Sequence, residues 1–133
     1  MLSQSARAAA AYQQTAVQCG TPLELVVKLY DGAIQNIVKA RDGLERGDIV
    51  AKRDGLSRAM AIIAELRNSL DMTKGGDIAT SLDRLYVYIT DRLTESNVKK
   101  DLRGLDEVHK LLVPLRDAWQ QIAAGQSAQR DVP

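Results

Sequence analysis

Apolar side chains recur at three- and four-residue spacing along nearly the whole chain, which predicts helices throughout. Thr21-Pro22-Leu23-Glu24 opens the first long helix. Thr21 is placed to cap, Pro22 suits the first helical position, and Glu24 completes a capping box. That helix is expected to run to about Glu45 and to stop at Gly47. Asp48 caps a second helix reaching about Leu70, with Ile49, Leu56, Ala59, Met60, Ile63 and Leu66 on its apolar face. Gly75-Gly76 breaks the chain, and Asp77 is expected to cap a third helix through Ile78, Leu82, Leu85, Ile89 and Leu93. Asp101 or Asn97 opens the fourth, through Leu105, Val108, Leu112, Leu115, Trp119 and Ile122. Pro114 falls inside it. There it removes a hydrogen bond and crowds the preceding turn, so a kink or break is expected near Lys110 to Val113.

No β-type alternation and no fixed-period repeat competes with this pattern. The fold class predicted is all-α, an antiparallel up-down four-helix bundle with a short extra N-terminal helical segment. The division expected is residues 1–20 as a flexible capping segment, 21–123 as the bundle and 124–133 as a disordered tail. In the first segment, Ala and Gln favour one or two helical turns around Ser5 to Gln14, with Tyr12 and Val17 its bulky apolar side chains after Leu2.

Placing side chains at about 100° per residue puts Val26, Leu29, Ala33, Ile37, Ala40 and Leu44 on one stripe of the first long helix. Val27, Tyr30, Ile34 and Val38 form a second stripe beside it. Together they cover roughly 180°, against the ~100° that a core-facing stripe needs. Either this helix touches two neighbours, or the second stripe lines a groove that a partner helix fills. On the third helix Val87 and Tyr88 stand outside the main stripe, and a tyrosine there suits an interface. Gly32 sits mid-helix at a cost of about 1 kcal/mol relative to Ala. Close approach of another backbone explains it, but Gly55 and Gly104 read as tolerated surface glycines of the same kind.

Composition narrows what such a bundle does. The 133 residues are 45% hydrophobic and contain no Phe, so Leu, Ile, Val and Ala must pack the core of a single domain. Eighteen basic residues against seventeen acidic ones leave a net charge of +1, giving no electrostatic case for nucleic acid or an acidic membrane. No apolar run approaches the ~20 residues of a membrane span. The N-terminus lacks the apolar run of a secretory signal, and the single Cys19 fits a reducing compartment. A cytoplasmic protein is expected.

Reactive groups are sparse. His109 is the single histidine, which excludes a two-histidine zinc site or a paired Glu-x-x-His di-iron site within one chain. Cys19 has no activating neighbour, and Gly75-Gly76-Asp77 lacks the phosphate-loop pattern. Lys52, Arg53 and Arg92 lie at or near apolar stripes, the one feature that a small helical enzyme binding dianions would share. The reading favoured is a non-enzymatic binding module without cofactor or metal.

Several motifs in order resemble one family. They are Ala-Tyr-Gln-Gln around Tyr12, Leu29-Tyr30-Asp31-Gly32-Ala33, Ile62-Ile63-Ala64-Glu65-Leu66 and Leu70-Asp71. Gly75-Gly76-Asp77-Ile78-Ala79 follows, then Leu85-Tyr86-Val87-Tyr88, Ser96-Asn97 and Leu115-Arg116-Asp117-Ala118-Trp119. From Tyr12 to Trp119 the chain resembles the flagellar secretion chaperone FliS family. Ser96-Asn97 departs from the more usual Ala-Asn, and Pro114 is a second departure. The resemblance implies a cytoplasmic bundle that binds the disordered C-terminal region of flagellin, blocks its polymerisation and assists delivery to the flagellar export gate. It implies as partners the flagellin C-terminal segment and an export gate protein, with a co-chaperone left open, and a monomer or weak homodimer. Tyr12 would be a plug that flagellin displaces. The candidate partner-binding set is Tyr12, Val17, Tyr30, Ile34, Ile37, Val38, Tyr86 and Tyr88. The alternative is a self-associating helical adaptor without a flagellin client.

Overall fold

The computed structural model describes residues 22–130, with side chains through residue 125. Four helices occupy that span: α1 (Pro22–Arg46), α2 (Ile49–Asn68), α3 (Gly76–Lys99) and α4 (Leu102–Arg130). α1 packs against α2 and α4, and α3 packs against the same two, so the helices form a ring in which α1 and α3 lie on one diagonal. The connections are short, as an up-down bundle requires. Among the described residues there is no strand, and no helix is long and apolar enough to cross a membrane.

Most boundaries follow local chemistry. α1 ends at Gly47, whose φ of +73° is open to glycine without strain. Asp48 caps α2, its side chain accepting from the Ala51 N–H at 3.1 Å. Between α2 and α3 the Asp71 carboxylate accepts from the N–H groups of Thr73 and Lys74, and Gly75 N–H donates to the Asp71 carbonyl at 2.7 Å. Gly75 stands at the cap position of α3 with no side-chain hydrogen bond. Asp77 therefore does not cap the helix: it lies one residue inside, where a carboxylate still favours the positive end of the helix dipole. Asn97 belongs to α3, and Asp101 opens α4 by accepting from the Arg103 N–H at 2.9 Å.

α4 runs unbroken through Pro114. Pro114 is exposed, so the carbonyl that its missing N–H leaves free sits on the solvent side, where water satisfies it. The helix also continues past Ala123 to Arg130, where a tail was expected. Ala, Gln and Arg in that stretch are good helix formers.

The core is aliphatic around two phenols: Tyr30, Ala33, Ile37, Leu56, Ile63, Leu66, Tyr86, Ile89, Leu93, Leu105, Val108 and Leu112 are all buried. Two glycines set the closest approaches. A Cβ on Gly55 would meet the Asn36 carbonyl of α1 at 2.5 Å, and one on Gly104 would overlap Ser96 of α3. Neither is a surface glycine; each lets two backbones meet, the reason first suspected for Gly32. Gly32 itself is less confined, with the Ile62 side chain 3.2 Å from where its Cβ would lie.

Candidate functional site

The second stripe of α1 divides once the ring is closed. Tyr30 is fully buried and points across the diagonal to Tyr86 of α3, the two hydroxyls 2.6 Å apart. Ile37 and Tyr86 are buried too, so Tyr30 and Ile37 belong to the interior, and Tyr86, buried beside them, meets an opening only at one end of the bundle. Burial pushes both phenols above their ordinary ionisation range, because the phenolate would lose its water. α1 needs its wide apolar arc to serve two neighbouring helices and one diagonal partner at once.

Ile34 is half-buried and Val38 exposed. They lie in one row between Asp31 and Arg41, which reach α4 through the ion pairs Asp31–Arg116 (2.7 Å) and Arg41–Asp106 (2.6 Å). This row therefore follows the α1–α4 seam. Tyr88 is exposed on the α3–α4 seam, where its hydroxyl donates to Glu107 and Arg92 pairs with the same carboxylate at 2.8 Å. Those two donors hold the Glu107 carboxyl below its usual range, and Glu107 in turn raises the Tyr88 phenol. The seams run on opposite sides of α4, so Ile34 and Val38 do not share a groove with Tyr88. Tyr12 and Val17 lie outside the described residues.

A different opening emerges at one end of the bundle. A cleft of about 380 Å³ lies where α1 begins, α2 ends and α3 begins. Leu23 and Val26 form one wall, Leu66 and Leu70 another, and Ile78 and Leu82 a third; Tyr86 and Trp119 reach into its lining. Ser69, Asp71 and Lys74 supply its polar edge. Ile78 is 72% exposed at this end, and Met72 in the adjoining loop is half exposed. The sequence places Val26, Leu66, Ile78, Leu82 and Trp119 on core stripes, because periodicity reports direction around a helix and not whether its end is covered. The one available signal was that apolar positions continue to the ends of three helices while the joining loop offers only Met72 as cover.

Among the described residues no group of three or more His, Cys, Asp or Glu could hold a metal ion. The lining offers shape, apolar area and the buried Tyr86 phenol, which suits the holding of another chain.

Comparison with known proteins bears on which chain that is. The family model described as "Flagellar protein FliS" matches residues 4–126. This chain belongs to the FliS family. It is 43% identical over 117 residues to the flagellar secretion chaperone FliS of Salmonella typhimurium, with 87% of each chain covered. It is 36% identical over 121 residues to the FliS of Bacillus subtilis, covering 91% of this chain and 88% of that one. The FliS of Vibrio cholerae is 34% identical over 116 residues, with 84% and 85% covered. FliS proteins are flagellar secretion chaperones and not enzymes, so the role supported here is that of a flagellar export chaperone. The structure adds that two of the family-like motifs are joined. Asp31 of the Leu-Tyr-Asp-Gly stretch receives Arg116 of the Leu-Arg-Asp-Ala-Trp stretch, fixing α1 against α4.

Proposed function

We propose that this FliS protein binds the disordered C-terminal region of flagellin in the cytoplasm, keeps it from polymerising and hands it to the flagellar export gate. The observation that carries the reading is the apolar cleft that the described residues form at one end of the bundle, beside its buried core. A segment whose amphipathic face would otherwise pack on its own copies finds there an alternative place for that face. Each large aliphatic side chain moved from water into such a site contributes about 1.5–3 kcal/mol. Ordering a disordered client offsets most of this, which leaves release feasible without nucleotide hydrolysis. The seam residues Ile34, Val38 and Tyr88 extend the accessible apolar surface along the bundle for a client longer than the cleft. In this reading residues 1–20, with Tyr12 and Val17, cover the client surface until flagellin displaces them.

Calorimetric titration of the full chain with the C-terminal segment of flagellin from the same organism tests the reading. Saturable binding that prevents the segment from assembling is expected. Absence of binding, together with a tight dimer of the free protein in sedimentation, would favour the self-associating adaptor instead.

A further inference from the structure

Among the described residues, the tyrosine pair at the cleft carries one more hydroxyl proton than it uses. Tyr30 is 0% and Tyr86 2% exposed; their hydroxyls bond to each other, either oxygen able to donate, and Tyr30 also accepts from the Trp119 N–H, which supplies no acceptor for a phenol proton. Each phenol brings one O–H, so two donors share a single bond, and the second O–H has no acceptor among the described residues. Buried donors in folded proteins are nearly always matched, so an unspent one in the wall of an open cleft is a feature to be explained. Only Tyr86 of the pair lines the cleft. Because the bond can run in either direction, Tyr30 can donate to Tyr86 and leave the Tyr86 proton free to turn outward.

We infer that the cleft takes a client segment that delivers an uncharged hydrogen-bond acceptor, beside a large aliphatic side chain, to the Tyr86 hydroxyl. This rests on the client reading above and deepens it by naming what the bound segment must carry. The acceptor is a carboxamide oxygen of Asn or Gln, or a backbone carbonyl at a helix end. Carbonyls inside a helix are already engaged, and a carboxylate would lose its water on entering walls made of leucine and isoleucine. In the bound state Tyr30 donates to Tyr86 and Tyr86 donates to the client, a chain in which each bond strengthens the next. The aliphatic walls set size and hydrophobicity; the tyrosine pair selects the residue beside them.

The test is the variant Tyr30→Phe/Tyr86→Phe in the full chain, with the flagellin C-terminal segment as probe. Removing both hydroxyls keeps the ring shapes and leaves neither phenol without its mate; the Trp119 N–H alone loses its acceptor, and circular dichroism checks that the bundle still folds. The double variant is expected to bind the probe about two- to tenfold more weakly, the equilibrium equivalent of one net hydrogen bond. Wild-type binding should also red-shift the near-ultraviolet tyrosine band, a change absent in the double variant. Replacing each Asn and Gln of the probe by Leu or Met then locates the acceptor. One position whose loss matters to wild type and not to the double variant identifies a carboxamide; no such position, with the tyrosine effect intact, identifies a backbone carbonyl. Unchanged affinity of a folded double variant overturns the inference and leaves the client reading standing. Failure of wild type to bind the segment overturns both.

Discussion

Ser96 and Gly104 compete for one volume between α3 and α4: a Cβ on Gly104 would fall inside the Ser96 hydroxyl, itself buried without a hydrogen-bond partner. Gly104→Ala is expected to cost about 1–3 kcal/mol by overpacking. Ser96→Ala removes an unmatched buried hydroxyl and should be neutral or stabilising by up to about 1 kcal/mol. Because the two side chains share space, the double variant should be more stable than the sum of the singles, and urea denaturation of all four proteins reads the difference.

The buried phenols make stability fall in alkali. Tyr30 and Tyr86 are both held above the ordinary tyrosine value of about 10. The unfolded chain then gives up these protons first as pH rises, so the stabilisation is complete below about pH 10 and drains away above it. Denaturant midpoints from neutral pH to one unit above the ordinary phenol value should show this decline, and Tyr30→Phe/Tyr86→Phe should flatten it. Tyr30→Ala instead leaves a core cavity at about 3–5 kcal/mol and tests the fold rather than a docking surface.

Tyr88 titrates under the control of Glu107. Its phenol is raised chiefly because the neutral O–H donates a hydrogen bond to that carboxylate, with loss of water and then the Glu107 charge adding to it. Glu107→Gln should bring the Tyr88 value down towards that of a free tyrosine, while the folded chain keeps its helical content. Following the Tyr88 ring resonances by NMR through the alkaline range separates it from the buried pair; an unchanged Tyr88 titration would refute the coupling.

Ile78 offers a way to injure the cleft without injuring the core. At 72% exposed it contributes little to folding, so Ile78→Asp should shift stability by no more than about 0.5 kcal/mol. A carboxylate at the mouth should nevertheless weaken binding of the flagellin segment by about tenfold or more, since an apolar partner would have to desolvate it. Calorimetry with wild type and variant decides; equal affinities would place the client elsewhere.

Removing residues 1–20 should leave the bundle folded by circular dichroism and change the affinity for the flagellin segment. Loss of helical signal would make that stretch part of the core instead.

The helices were legible because their punctuation is local. Pro22, Gly47-Asp48 and Gly75-Gly76 act within a few residues, and the structure obeys them. Asp77 misled because Gly75 takes the cap position before it and Asp71, further back, ties the turn. Pro114 misled because its cost depends on which side of the helix faces water, a tertiary fact. The candidate site was less legible for a related reason. Helical spacing placed Tyr30 correctly beside Ile34 and Val38, yet a step around the cylinder separates a side chain sealed against α3 from one left on a seam. Ile78 and Trp119 were read as interior by the same arithmetic, and only the closing of the ring shows that they meet around one cleft.

Asp71 gives that end its character. One carboxylate oxygen gathers two successive amides, and the same residue's carbonyl takes a third from Gly75. The lip of the opening is thus tied down before anything arrives. That turn has little freedom left to surrender in an encounter, so its share of the ordering cost is met in folding.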